Sequence, residues 1–219
     1  MADFQDLCAR VRGCFACPNM HHVHILGDVN GPLDADVLFV AEAPGRLGAV
    51  RTGVPMTSDV TGRRFHAFLA DAGIARERVF VTNTVLCHPR APNGNNRHPS
   101  AREVAACRDF LADQIDLVAA AFIVTLGGVA LDALRRISAH EVVLARDVAH
   151  QTRWLRSPGQ ERLLIPLYHP SIQSTLTRPH GQQLADWRRL GTWVKGHGPR
   201  AKKRRPHQFL RLRTSNLER

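Results

Sequence analysis

The stretch DVLFVAEAPG, residues 36–45, has five consecutive apolar residues after Asp36 and ends in a proline and a glycine. The consecutive apolar side chains from Val37 to Ala41 are typical of a buried strand, and Pro44-Gly45 cannot continue that strand. The stretch therefore predicts a buried strand that delivers its carboxyl end, with Glu42, into a loop.

The same kind of apolar run occurs at three further places, which are residues 79–83, 122–126 and 163–168. Helical patterns lie between the strands, around 65–72, from Ser100 to about Ala119, over 129–137 and over about 182–194. Ser100, with Glu103 three positions on, has the signature of a helix N-terminus. Strands that alternate with helices predict the α/β class, with a mostly parallel sheet of about four strands.

Each predicted strand is followed at once by glycine, proline or polar residues. The four segments read AEAPGRLGAVRTG, NTVLCHPR, LGG and YHPSIQS. In parallel α/β sheets, ligands bind in loops at the carboxyl ends of the strands. The sequence therefore predicts a binding cleft at this edge of the sheet.

Length and composition limit the class of protein. The chain has 219 residues, 44% of them hydrophobic, so it can bury a substantial core in one domain, or in one domain with an appendage. No apolar run approaches the ~20 residues of a transmembrane helix. The N-terminal segment, with Asp3 and Asp6, lacks the apolar core of a secretory signal. We expect a cytoplasmic protein that does not associate with membranes.

The net charge of +11 is concentrated toward the C-terminus. Residues 195–219 hold nine Lys and Arg and one acidic residue, Glu218, so they carry eight of the eleven net positive charges. The densest run consists of Lys202, Lys203, Arg204 and Arg205. We expect residues 1–194 to form the folded domain and residues 195–219 to form a solvated basic arm that binds phosphates without reading sequence. A tail that only raises solubility is the alternative.

Five cysteines are present, three of them close together near the N-terminus. In a reducing compartment, clustered cysteines indicate metal binding or catalysis more often than disulfides. Cys14 and Cys17 have the spacing of a chelating pair, and Cys87 and Cys107 would complete a set of four ligands. Cys8 lies in an amphipathic helical pattern and is predicted to be a buried thiol without a ligand role. The number of cysteines alone does not distinguish zinc from a [4Fe–4S] cluster.

Several motifs occur in a characteristic order and spacing, namely AEAPGRLGAVRTGVPMTSDVTG, VFVTNTVLC, CRDFL, IVTLGGVALDAL and YHPS. Together they resemble the iron–sulfur members of the uracil-DNA glycosylase superfamily, types 4 and 5, over roughly residues 10–192. The resemblance implies a three-layer α/β/α sandwich and the excision of uracil from DNA in base excision repair. It also implies a [4Fe–4S] cluster with the ligands Cys14, Cys17, Cys87 and Cys107.

The resemblance also assigns residues in the cleft. Glu42 matches a type-4 motif in which Ala41 here replaces a glycine, and Asn83 is of the type-4 kind as well. Asp59 lies in a loop that resembles type 5, where an aspartate is implicated in activating water. His169 is the motif histidine of the family.

Met56 stands where both types usually carry a phenylalanine that stacks on uracil. A thioether can also cover the face of a base, although less rigidly than a ring. The predicted contacts to the base are Ala41, Glu42, Ala43, Met56, Asn83 and His169.

These residue types suit cleavage of an N-glycosidic bond. Once the nucleotide is flipped out of the stack, positive charge builds on the sugar and negative charge on the departing base. His169 could donate a hydrogen bond to a uracil oxygen, and the Asn83 amide can pair with the edge of uracil but not with that of cytosine. We expect Asp59 to direct the attacking water and Glu42 to form part of the pocket floor. By residue type alone, structural roles for all four side chains stay open.

Contacts to DNA are predicted at Arg51, Arg63 and Arg64, which suit phosphates unless they are merely solvated. Ile172 and Gln173 follow the motif histidine and could enter the gap that the flipped base leaves.

No lysine precedes Lys195 in the sequence, so a Schiff-base lyase has no evident nucleophile and water should attack. We expect a monofunctional glycosylase that acts as a monomer on uracil-containing DNA, in the cytoplasm at the nucleoid. The alternative is an iron–sulfur DNA-binding protein of the same fold with little catalysis, or one that traps uracil DNA covalently through His98.

Overall fold

A computed structural model describes residues 3–155 and 161–196 of the chain. Within these residues the strands are β1 (Met20–His21), β2 (Val37–Ala41), β3 (Val79–Asn83), β4 (His88–Pro89), β5 (Phe122–Leu126), β6 (Thr152–Leu155) and β7 (Glu161–Leu167). The α-helices are α1 (Phe4–Arg12), α2 (Ala49–Thr52), α3 (Val60–Ala72), α4 (Ala101–Leu117), α5 (Gly128–Ile137), α6 (Leu144–Asp147) and α7 (His180–Gly196).

The central sheet has the strand order β3-β2-β5-β7-β6, and every pair in it is parallel except β6 with β7. The predicted mostly parallel sheet is confirmed, with five strands among the described residues instead of about four. The strand missed from sequence is β6, which reads TRWL. Its polar residues at the sheet edge interrupt any apolar run, although Trp154 is fully buried.

The alternation of side chains along β2 divides the core into two halves. Val37 and Phe39 face α3 and α7, and Phe39 stacks on Trp187 of α7 with ring centroids 5.3 Å apart. Leu38 and Val40 point the other way, into a core built with α1, α4 and α5. Because helices cover both faces of the sheet, the predicted three-layer α/β/α sandwich is confirmed.

Two helix starts illustrate local control of the fold. Ser100 Oγ accepts a hydrogen bond from the Glu103 amide at 3.3 Å, and Glu103 Oε2 accepts from the Ser100 amide at 2.7 Å, so the predicted start of α4 is confirmed. Helix α3 begins at Val60, earlier than the pattern around residue 65 predicts, because Asp59 Oδ1 caps it by accepting from the Gly62 amide at 2.7 Å.

The chain boundary predicted at residue 194 falls within α7, which continues to Gly196. The basic run predicted to bind phosphates lies outside the described residues and stays a prediction. Among the helices that the structure describes, none has the length and apolar character needed to span a bilayer.

Helices α3 and α7 approach each other most closely at Gly191. A Cβ built on Gly191 would lie 2.1 Å from the Ala72 carbonyl oxygen, far inside contact distance. The close packing of α3 against α7 therefore depends on the absence of a side chain at this position.

We expect Gly191→Ala to lower the free energy of unfolding by about 1–3 kcal/mol or more, because the added methyl group forces the helices apart. Gly181→Ala is the matched control: it lies on the same helix, a methyl group added there meets nothing within 4 Å, and the change should stabilise by up to ~1 kcal/mol through helix propensity. Urea unfolding measures both, and equal effects of the two substitutions would contradict the assignment.

Candidate active site

A cavity of about 810 Å³ opens at the carboxyl ends of the parallel strands. Its walls come from the loops after β2, β5 and β7, the last residue of β3 and the segment that connects β4 to α4. The cleft predicted at this edge of the sheet is therefore present. The residues proposed for base contact or catalysis that line it are Glu42, Ala43, Met56, Asp59, Asn83 and His169.

Ala41 does not line the cavity, in contrast to the contact predicted for it. It is the last residue of β2, and its side chain is buried in the core between the sheet and α3. Its carbonyl oxygen accepts hydrogen bonds from the Thr84 amide at 2.7 Å and the Thr84 hydroxyl at 3.1 Å. Ala41 thus anchors the start of the loop that carries Glu42.

His169 follows β7 and reaches the cavity wall. Burial lowers the pKa of its imidazole to about 4, while the negative charge of Asp59 acts in the opposite direction. The imidazole is therefore neutral at neutral pH and carries one N–H. A neutral donor at the cavity wall suits a group that must stabilise a developing anion without moving.

Asp59 combines a structural contact with a position in the cavity. One carboxylate oxygen caps α3, as described above. The other faces the loop after β2, because a Cβ built on Gly48 would lie 2.7 Å from Asp59 Oδ2. Any larger residue at position 48 would collide with the carboxylate.

Glu42 and His98 meet across two different loops. His98 Nδ1 lies 2.7 Å from Glu42 Oε1, and the side chains are 85% and 27% exposed respectively. The Glu42 carboxylate is therefore partly accessible and paired with an exposed side chain, and its predicted place on the pocket floor stays a prediction.

The backbone between α2 and α3 is strained beside the cavity. Met56 and Ser58 have φ angles of 54° and 68°, in the left-handed region that residues with a side chain rarely adopt. Such conformations persist where the surroundings impose them, and they cluster at ligand sites. Met56 also packs against the core under α3 and α7, so its position at the cavity wall is fixed.

Asn83 closes β3 and is almost fully buried at the cavity wall. Asn96 is a lining residue that the sequence motifs do not reveal. Its Oδ1 lies 2.9 Å from both the Arg46 amide nitrogen and His88 Nε2, so it joins the loop after β2 to the segment after β4. The loop APNGNNRHPS holds three asparagines, and nothing local distinguishes Asn96 from the other two.

The predicted DNA contacts fall into two groups. Arg51 and Arg63 are exposed, whereas Arg64 is half-buried and bonded through Nε to the Pro170 carbonyl oxygen at 2.8 Å. Ile172 is 58% exposed and Leu176, on the same loop, is 89% exposed. Leu176 is absent from the predicted contacts, yet it is the more exposed apolar side chain. Gln173 is exposed and lines the cavity.

The four predicted ligand cysteines share one region of the structure. Burial raises the pKa of Cys107 to about 12, and the neighbouring Cys87, Cys17 and Cys14 add to that rise. Burial also raises the pKa of Cys87, while backbone amides that donate to its sulfur oppose the effect. All four cysteines are free thiols.

Cys8 lies apart from this group, buried on α1, with Arg12 and Asp28 as its charged neighbours. Across residues 3–155 and 161–196, no three His, Cys, Asp or Glu side chains surround one point closely enough for a single metal ion. Four neighbouring thiols, with backbone amides that donate to the sulfurs of Cys87 and Cys107, nevertheless form a donor set whose chemistry fits an iron–sulfur cluster.

Comparison with known proteins agrees with this site. A sequence model of the Uracil DNA glycosylase superfamily matches residues 29–190. A type-4 uracil-DNA glycosylase of Thermotoga maritima is 34% identical over 165 residues, which cover 74% of this chain and 78% of that protein. One of Archaeoglobus fulgidus is 28% identical over 196 residues, or 87% and 93%. A type-5 uracil-DNA glycosylase of Pyrobaculum aerophilum is 30% identical over 120 residues, or 49% and 51%.

The family match, made over an α/β/α sandwich whose cavity opens at the strand ends, defines the class as a glycosylase that acts on DNA. The chain belongs to the uracil-DNA glycosylase superfamily, and the resemblance drawn from its motifs is confirmed.

The His169 imidazole should titrate with a midpoint near pH 4 in an NMR experiment. Asp59→Asn should lower this midpoint further, because the carboxylate favours the protonated ring. Asp71→Asn, which removes a carboxylate bonded to Arg188 at the far end of α3, is the control and should leave the midpoint unchanged. As the pH falls, the unfolded chain takes up this proton first, with a pKa of about 6.5. The contribution of the neutral imidazole to stability is therefore complete above a pH of about 6.5 and is lost as the pH falls toward the pKa of the folded state. A His169 midpoint near the ordinary value would contradict the buried placement.

Proposed function

We propose that this protein is a monofunctional uracil-DNA glycosylase that flips uracil out of DNA and hydrolyses its N-glycosidic bond. The observation that carries the proposal is the convergence of a neutral imidazole, a buried amide and two carboxylates on one cavity. The relatives named as type-4 and type-5 uracil-DNA glycosylases support the choice of base. The partner is DNA that contains uracil, bound by a monomer in the cytoplasm.

In this mechanism the flipped uracil lies against Met56, and the Asn83 amide pairs with its edge. The His169 N–H donates to the uracil oxygen as negative charge develops on the departing ring. A water attacks the sugar, because the only lysine among the described residues, Lys195, lies beside Gly73 and does not line the cavity.

Each carboxylate has one oxygen already engaged. Asp59 Oδ1 caps α3, which leaves Oδ2 beside the loop after β2, and Glu42 Oε1 contacts His98. We assign the water-directing role to Asp59, since its charge also acts on the His169 imidazole. Glu42 then holds the opening of the cavity together with His98.

Phosphate contacts are assigned to Arg51, Arg63 and the basic C-terminal arm. The loop after His169 would supply the apolar wedge through Ile172, Gln173 or the more exposed Leu176. Arg64 is better suited to holding that loop, because its guanidinium is already bonded there.

The test of the function is a uracil-containing oligonucleotide incubated with the protein, treated with alkali and run on a denaturing gel. Strand cleavage only after alkali supports hydrolysis to an abasic site. A shifted band that survives denaturation would instead indicate covalent trapping through His98. Uncut DNA would indicate a protein that binds DNA without releasing uracil.

His169→Ala should slow single-turnover cleavage in this assay by about 10²–10³-fold with modest loss of affinity, since it removes one donor to a developing anion.

The same assay separates the carboxylates when isosteric amides are used. Asp59→Asn keeps a good helix cap and removes the charge, so its effect reports on chemistry and not on the stability of α3. It should slow cleavage more than Glu42→Gln does while leaving affinity for uracil DNA nearly unchanged. A wild-type rate for Asp59→Asn beside an inactive Glu42→Gln would reverse the two roles.

A [4Fe–4S] cluster completes the proposal. Cys14 and Cys17 after α1, Cys87 after β3 and Cys107 on α4 would hold it. When bound, the cluster would crosslink these three parts of the chain. The crosslink would stabilise the edge of the sheet at β3, from which the chain continues into the segment between β4 and α4 that lines the cavity.

The purified protein should be brown, with absorbance in the blue that bleaches under dithionite and about four irons per chain. Cys17→Ser should lose the colour and lower the thermal midpoint of unfolding. Cys8→Ala is the matched control, since it removes a buried thiol that lies apart from the others, and it should keep the colour. A colourless protein with stoichiometric zinc after anaerobic preparation would rule out the cluster.

A further inference from the structure

The loop that follows β7 carries His169 at its start and the exposed apolar residues Ile172 and Leu176 further on. It holds a short 3₁₀ turn, Gln173–Leu176, and ends at Pro179 before α7. Backbone hydrogen bonds close the turn itself, while the carbonyl oxygens of His169, Pro170 and Arg178 are bound by side chains.

One buried side chain binds this loop from inside the fold. Gln183 lies in the first turns of α7 and is almost completely inaccessible to solvent. Its Nε2 donates to the Ser174 hydroxyl at 3.1 Å and to the Arg178 carbonyl oxygen at 2.7 Å. The Ser174 hydroxyl in turn points its one proton at two carbonyl oxygens of the loop, those of His169 and of Ser171.

The same carboxamide is fixed on its other side by α3. Gln183 Oε1 accepts from Arg64 Nη2 at 3.4 Å, while Arg64 Nε donates to the Pro170 carbonyl oxygen at 2.8 Å. The Arg64 guanidinium also lies over the Phe68 ring, 5.1 Å from its centroid. Every polar atom of the Gln183 side chain therefore has a partner, and a fully satisfied buried network of this kind is rigid.

We infer that Gln183 is a positioning residue, which acts through Ser174 and Arg64 to hold His169 and the apolar turn behind it in one fixed arrangement. The inference rests on the proposed function, since it is His169 that must meet the departing base. An error of about 1 Å in placing such a donor can cost on the order of 10²-fold in rate. Gln183 itself does not line the cavity, so it acts only through the loop.

The variant Gln183→Met keeps the approximate volume of the side chain and removes all of the hydrogen bonds that the side chain makes. It should lower the single-turnover rate by about 10–100-fold, with affinity for uncleavable uracil DNA within a few-fold of wild type. Gln182→Met is the matched control, because this neighbouring glutamine is exposed on the same helix, and it should behave as wild type.

Ser174→Ala is a second variant that tests the same network. It replaces Gln183→Met in the test if that variant does not fold. If the two residues act as one chain, the double variant should be no slower than the slower single variant, since sequentially coupled sites are not additive. Additive losses, or a wild-type rate for Gln183→Met, would overturn the inference.

A readout independent of activity keeps this test separate from that of the proposed function. The ring signals of His169, assigned by their loss in His169→Ala, should shift in NMR spectra of Gln183→Met and Ser174→Ala and stay unchanged in Gln182→Met. If the wild-type protein releases no uracil while these shifts occur, the function fails and the positioning stands. Unshifted His169 signals in Gln183→Met would refute the positioning whatever the activity.

Discussion

The parallel pairing of β2 with β3 and of β5 with β7 determines where every group of the site can lie. Ala41 is in register with Asn83, so the residue after β2, Glu42, is delivered beside the end of β3. Leu126 is in register with Leu167, which brings the glycines after β5 next to the loop that carries His169. Since a shift of one residue would turn each side chain to the opposite face, the buried apolar residues of these strands fix the cavity as firmly as they fix the core.

Asp59 shows how stability and chemistry share one residue. Its cap on α3 holds the carboxylate in place without the entropy cost of ordering an exposed side chain, and the glycine at position 48 leaves room for the second oxygen. The same arrangement constrains evolution of the site. A residue that replaces Asp59 must cap the helix as well as serve the cavity, which leaves few choices besides asparagine, serine and threonine. The left-handed backbone at Met56 and Ser58 lies in the same short segment, so the strain is held by the start of α3.

Sequence reasoning succeeds where the signal is local and fails where contacts join distant segments. The strands at 79–83 and 122–126 are predicted residue for residue because each is a short apolar run, and the start of α4 is predicted because its capping pair lies three residues apart. Strand β6 offers no such run. The contact of Glu42 with His98 spans 56 positions, and that of Arg64 with Pro170 spans 106. No periodicity reports such pairs, so the sequence predicted Arg64 as a phosphate contact or a solvated charge and gave no sign of its bond to the loop after β7.

The positive charges that attract DNA and the groups proposed for the chemistry lie in different parts of the molecule. Positive charge lies on exposed arginines such as Arg51 and Arg63, where salt screens it and where it can attract DNA of any sequence, and eight of the eleven net charges follow residue 194 in the sequence. Inside the cavity the histidine is neutral, because the cost of burying an imidazolium exceeds the attraction of the single carboxylate nearby. A neutral N–H at a cavity wall still stabilises an anion strongly once a bound base displaces water from it. A site of this kind depends on the exact placement of one donor more than on net charge, and the loop that carries this donor is bonded to Gln183 of α7 and Arg64 of α3.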